Sequence, residues 1–102
     1  MPKSKNILKT GRLTLDVEGC QAFVGKRGVN LTSTEFNLLA AFLENRGETV
    51  SRDELLSSVW GDSYRGTSRT VDTHIQRLRS KLGTAGRQIR SVRGVGYRLE
   101  SD

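Results

Sequence analysis

Residues 69–82 read Arg69-Thr70-Val71-Asp72-Thr73-His74-Ile75-Gln76-Arg77-Leu78-Arg79-Ser80-Lys81-Leu82, and residues 88–99 read Gln88-Ile89-Arg90-Ser91-Val92-Arg93-Gly94-Val95-Gly96-Tyr97-Arg98-Leu99. In the first stretch Val71, Ile75, Leu78 and Leu82 recur at steps of four, three and four. That spacing places them on one side of a helix. The helix is expected from about Ser68 to Leu82, with Thr67 as N-cap and Gly83 as its stop. Arg69, Thr73, Gln76, Arg77 and Ser80 project from the opposite side; Thr70, His74 and Lys81 occupy one flank, Asp72 and Arg79 the other. The second stretch is two short strand-like runs around Gly94-Val95-Gly96, a hairpin with a tight glycine turn.

Upstream, Thr32-Ser33-Thr34-Glu35 and Ser51-Arg52-Asp53-Glu54 are two capping boxes. The first opens a helix with an apolar stripe of Phe36, Leu38, Leu39, Phe42 and Leu43, closed by Asn45-Arg46-Gly47 with Gly47 as a left-handed cap. Thr49-Val50 has the makings of a short strand. The second box opens a helix burying Leu55, Leu56, Val59 and Trp60 and ending at Gly61. Asp62 to Gly66 reads as loop. Before residue 32, Leu13, Leu15 and Val17 alternate with Thr14 and Asp16, the period of a half-buried strand. Cys20 to Val24 and Val29 to Leu31 read as further strands, separated by Glu18-Gly19 and by Gly25 to Gly28. Residues 1–6 read as a flexible linker remnant, and residues 7–100 as one domain.

The chain has 102 residues, room for one modest core. Its 34% hydrophobic and 27% charged composition is that of a globular domain. The longest apolar run, Leu38 to Leu43, is too short for a membrane span. One cysteine and one histidine argue against a disulfide, a metal cluster, a cofactor site or a catalytic triad, and suit a reducing cytoplasm. The net charge of +6 is unevenly placed. Residues 67–98 hold eight of the seventeen lysines and arginines and one of the eleven acids, a local +7; the remaining 70 residues sum to −1. A concentrated basic surface suits a polyanion partner, although charge alone is equally compatible with a solvated face that binds nothing.

A helix followed by a basic hairpin is an arrangement that can read DNA. Arginine can donate two bonds to guanine, Gln76 can pair with adenine, and the Thr73 methyl can meet a thymine methyl. Hairpin arginines can enter the minor groove, while Lys81, His74 and loop hydroxyls can hold phosphates. Trp60 reads first as a packing residue, His74 as a phosphate donor or packing group, and Cys20 as a small strand residue. Asp72, the one acid of the basic segment, reads as an arginine's ion-pair partner. Other readings stay open at this level: a plain amphipathic surface helix, or a basic face that engages an acidic protein. An enzyme has no paired acid and base, metal cluster or phosphate loop to support it.

Residues 32–39, 50–56, 59–61, 69–82 and 89–99 together resemble the winged-helix effector domain of OmpR/PhoB-type response regulators, across essentially residues 7–100. The resemblance implies an α+β winged helix-turn-helix: an N-terminal four-stranded antiparallel sheet, three helices and a C-terminal β-hairpin wing. It implies sequence-specific binding of double-stranded DNA and transcription regulation in a bacterial two-component system, with no enzymatic activity. The third helix would enter the major groove and the wing the minor groove. By position, Arg69, Thr70, Thr73, Gln76 and Arg77 would lie nearest the bases. Trp60, His74, Arg79, Ser91 and Tyr97 would join Lys81 as backbone contacts, with Arg93 the wing arginine. Asp62, Ser63, Tyr64 and Arg65 would touch RNA polymerase. A receiver domain N-terminal in cis, a monomer off DNA and a head-to-tail dimer on tandem half-sites complete the implication. Thr73 and Gln76 stand where many members carry valine and a basic residue, which bears on the target sequence rather than the binding mode.

Overall fold

A computed structural model describes residues 6–61 and 67–101. Four short strands open the chain: β1 (Ile7–Thr10), β2 (Leu13–Asp16), β3 (Gln21–Val24) and β4 (Arg27–Val29). They form an antiparallel meander in sequence order, with Leu15 opposite Leu8 and Ala22, and Phe23 opposite Gly28. The period-two pattern does its work here, since Leu13, Leu15, Ala22 and Val24 all turn one way into the core.

Several strand boundaries differ from the sequence reading: Val17 falls in the turn after β2, and β4 ends at Val29 rather than Leu31. Cys20 is not a strand residue. It closes the Val17–Cys20 turn at φ +53°, and the Asp16 carboxylate accepts the Gly19 N–H at 3.1 Å, fixing that turn. β4 begins at Arg27, earlier than expected, because Gly25 at φ +61° lets a tight turn finish before Gly28.

Helix α1 (Ser33–Glu44) carries the expected capping box in full. The Glu35 N–H donates to the Thr32 hydroxyl at 3.2 Å, and the Thr32 N–H to the Glu35 carboxylate at 2.9 Å. Leu38, Leu39, Phe42 and Leu43 are buried, whereas Phe36 is only half-buried. Gly47 does take positive φ, at +83°, but its N–H donates to the Leu99 carbonyl at 2.8 Å rather than to the end of α1. It hands the chain to β5 (Thr49–Ser51).

The second capping box also forms, at the start of α2 (Arg52–Leu55). The helix then widens into a π-helical stretch, Leu56–Trp60, before Gly61 ends it at φ +95°. The Ser58 hydroxyl donates to the Leu55 carbonyl at 3.5 Å, competing for a helix acceptor. Only Leu55 is fully buried; Leu56, Val59 and Trp60 are half-buried, so the expected buried face is narrower.

Helix α3 (Ser68–Leu82) has the expected bounds. Val71, Ile75, Leu78 and Leu82 are all fully buried against α1 and α2. The Thr67 side chain makes no capping bond; its carbonyl accepts the Thr70 N–H at 3.0 Å. Gly83, at φ +63°, ends α3, and a 3₁₀ stretch, Gly83–Gln88, leads into β6 (Ile89–Val92) and β7 (Gly96–Leu99).

The C-terminal hairpin is part of a three-stranded antiparallel sheet, ordered β5-β7-β6. Gly96 is obligatory there, because a Cβ on it would fall 2.1 Å from the Val50 carbonyl oxygen. Buried Gln88 links the two sheets by donating from Nε2 to the carbonyls of Thr10 (3.2 Å) and Glu100 (3.1 Å). Among the described residues, no helix is long and apolar enough to cross a membrane.

Candidate nucleic-acid interface

The outward face of α3 is as the helical period requires. Arg69, Thr73, Gln76, Arg77 and Ser80 are exposed, and Thr70 and His74 are half-buried beside them. The Thr73 hydroxyl donates back to the Arg69 carbonyl at 3.0 Å, which ties up its proton within the helix. His74 Nδ1 lies 2.8 Å from the Thr70 carbonyl, so that nitrogen carries a proton and Nε2 is left for other contacts. The His74 ring meets Trp60 edge to face, with centroids 5.1 Å apart. Trp60 therefore buttresses α3 from the end of the second helix.

The tip of the hairpin is a tight turn in which the Val95 N–H donates to the Val92 carbonyl at 3.0 Å and Gly94 takes φ +77°. Arg93 occupies the leading corner of this turn and is exposed. Exposed Ser91 sits two residues back on β6.

The structure separates the eight cations of residues 67–98 into two sets. Four are committed within the fold. Arg79 donates from Nε and Nη2 to the Ile89 carbonyl (3.0 and 2.8 Å) and from Nη2 to the Ser91 hydroxyl (3.0 Å). Its guanidinium also lies 5.3 Å from the Tyr97 ring centre. Lys81 pairs with Glu35 of α1 at 2.6 Å. Arg90 and Arg98 share the Glu100 carboxylate, at 2.6 and 2.7 Å. Among the described residues, Arg69, Arg77, Arg87 and Arg93 have no such partner. The free cations thus lie on the outer face of α3, at the wing tip and on the 3₁₀ stretch.

Three residues expected on a nucleic-acid backbone thereby have intramolecular roles. Lys81 neutralises Glu35, and Arg79 grips β6. Tyr97 is buried, and its hydroxyl donates to the Asp72 carboxylate at 2.5 Å. Burial, with that hydrogen bond and the charge of Asp72 behind it, raises the Tyr97 pKa above its ordinary 10.0. Burial of Glu35 opposes its ionisation, but hydrogen bonds from Lys81 and Thr32 outweigh this and hold its pKa below the ordinary 4.5.

Asp72 has the arginine partner expected of it. That partner is Arg52 at the start of α2, with Nε 3.0 Å from Oδ1. Nothing in the sequence pattern singled out Arg52 or Arg87, and Arg90 was marked only as one of the hairpin arginines. Arg87 and Arg90 line a hollow of about 540 Å³ beside Arg79 and Ser91. Their membership of the basic segment was the available signal. The expected polymerase-contact residues, Asp62, Ser63, Tyr64 and Arg65, lie outside the described residues.

Known proteins place this architecture. The profile of the family described as transcriptional regulatory protein, C terminal, matches residues 25–99. The transcriptional regulatory protein VxrB of Vibrio cholerae is 44% identical over 92 residues, covering 90% of this chain and 37% of VxrB. The chain therefore spans well under half of that relative's length. The crystal structure of the Klebsiella pneumoniae RstA DNA-binding domain in complex with RstA box superposes with a TM-score of 0.82 at 34% identity, covering 93% of this chain and 97% of that one. The response regulator DrrB, a Thermotoga maritima OmpR/PhoB homologue, gives a TM-score of 0.83 at 31% identity, over 93% of this chain and 44% of DrrB. With the four-stranded sheet, three helices and C-terminal hairpin in place, the chain belongs to the transcriptional regulatory protein C-terminal family, the winged-helix DNA-binding domains of OmpR/PhoB-type response regulators.

Proposed function

We propose that this domain binds double-stranded DNA sequence-specifically and regulates transcription as the output domain of a two-component response regulator. In this reading α3 enters the major groove and the β6–β7 wing enters the adjacent minor groove. Arg69, Thr73, Gln76 and Arg77 meet base edges, with half-buried Thr70 at their margin. Arg93 reaches the minor groove. Ser91 holds a phosphate, and His74, supported by Trp60, packs at the edge of the backbone contact. Arg79, Lys81 and Tyr97 act on DNA chiefly through the parts they hold in place.

One observation carries this reading. Asp72 on α3 and Glu100 just after the wing are already paired within the fold, while Arg69, Arg77 and Arg93 are exposed and unpaired among the described residues. A phosphate backbone approaching this face meets uncompensated positive charge. By the family resemblance, the working arrangement is a head-to-tail dimer on tandem half-sites, with a receiver domain in cis and RNA polymerase as a further partner. A random-oligonucleotide selection with the purified domain tests this. The expected result is a repeated motif at fixed spacing, with affinity falling steeply as salt rises. Enrichment of no motif would overturn specific recognition. Binding of an acidic protein but not of DNA at low salt would identify the basic face as a protein-docking surface instead.

A further inference from the structure

The seam between α3 and the wing is more elaborate than holding a hairpin requires. A single atom, Asp72 Oδ1 on α3, accepts from the Tyr97 hydroxyl of β7 and pairs with Arg52 Nε at the start of α2. Three elements therefore meet on one carboxylate oxygen. Two turns further along α3, Arg79 grips the other wing strand through the Ile89 carbonyl and the Ser91 hydroxyl, and its guanidinium faces the Tyr97 ring. Ser91 and Tyr97 are direct cross-strand partners. The two contacts thus clamp one rung of the hairpin from both strands. Only the Val92–Gly96 rung separates this clamp from the turn that carries Arg93.

The sheet itself fixes the wing to β5, and so to α2, through the close approach at Gly96. Apolar packing seats α3 against α1 and α2. The Asp72 and Arg79 contacts add polar links that tie α3 directly to the two wing strands.

We infer that Asp72, Tyr97 and Arg79 are positioning residues that hold the Arg93 wing tip at one fixed separation from the outer face of α3, so that both grooves are read as a single unit. The inference rests on the proposed DNA-reading function. Its physical basis is that geometric restraint converts two weak contacts into one cooperative event; a loose tether makes the second contact contribute less.

A double-mutant cycle tests it. Affinity for the selected site is measured for the parent domain, Arg93→Ala, Tyr97→Phe and the double variant. Tyr97→Phe keeps the buried ring and removes only the hydroxyl. In the parent, Arg93→Ala is expected to weaken binding about tenfold; in the Tyr97→Phe background it should weaken it by about twofold or less. A selection repeated with Tyr97→Phe should keep the bases read by α3 and lose the preference at the flanking positions read by the wing. A merely structural role would lower affinity evenly and leave the Arg93→Ala ratio unchanged, and that result would overturn the inference. Should Tyr97→Phe fail to fold, as judged by circular dichroism, Arg79→Lys provides the same comparison, since it keeps the charge and loses the forked grip. Failure of the parent domain to select any motif would instead count against the DNA-reading function itself.

Discussion

Helices α1 and α3 are both amphipathic, and both bury four apolar side chains fully or nearly so, yet they dispose of their polar groups in opposite ways. In α1, Thr32 and Glu35 close the N-terminus on each other, and Glu35 then takes Lys81 as a second partner. In α3, the N-cap side chain is idle, and two exposed arginines have no partner among the described residues. One helix spends its polar chemistry on the fold. The other also commits Asp72, Arg79 and Lys81 to the fold but withholds Arg69 and Arg77 on its outer face, which is what a surface that must bind something else requires. Neighbours neutralise several of the remaining charges of the basic segment: Arg52 pairs with Asp72, Glu100 with Arg90 and Arg98, and Glu35 with Lys81.

The largest separation between the two should come from Phe42→Ala and Arg77→Ala. Phe42 is fully buried in α1, and its truncation should cost about 3–5 kcal/mol of unfolding free energy, read by urea titration. The fraction that remains folded should bind DNA with unchanged affinity. Arg77→Ala should leave unfolding within about 0.5 kcal/mol of the parent. It should weaken binding to the selected site by about 1–3 kcal/mol and relax one base position. A large stability loss from Arg77→Ala would erase the contrast, because it would place Arg77 in the scaffold.

The caps offer a smaller and sharper test. Thr32→Ala removes a made capping bond and should cost about 1 kcal/mol. Thr67→Ala removes a hydroxyl that makes no capping bond and should change thermal stability by only about a few tenths of a kcal/mol. Equal losses would show that the sequence position, rather than the bond, is what matters.

These contrasts also mark what the sequence could disclose. The bounds of α1 and α3 were legible because the apolar period runs the length of each, the Thr32–Glu35 capping box opens α1 and Gly83 ends α3. The strand expected from Cys20 began one residue early because a left-handed turn residue other than glycine has no sequence signature as strong as glycine's. The π-helical stretch after Leu55 was invisible for a related reason, since its apolar spacing fits a regular helix equally well. In the candidate interface, exposure followed from helical period alone. Which cations are free did not, because Lys81 meets Glu35 across 46 positions and Arg79 meets Ser91 across 12. Periodicity is local information, whereas charge neutralisation depends on tertiary neighbours.

The smallest predicted effect isolates one such neutralisation. Because hydrogen bonding holds the Glu35 pKa below 4.5 in the fold, the native state binds that proton less readily than the unfolded chain does. Its contribution to stability is therefore present above the unfolded value and lost as pH falls through the lower, folded value. Lys81 is 39% exposed, so solvent screens the pair and the effect should be modest. Thermal midpoints measured downward from about pH 6 should fall less steeply in Glu35→Gln than in the parent, across the window below about pH 4.5. Lys81→Met should reduce the slope only in part, because the Thr32 N–H still favours the ionised carboxylate. An acid limb with the same slope in parent and Glu35→Gln would mean that the capping box of α1 is held by geometry alone, and the contrast with α3 would then be one of shape rather than of charge.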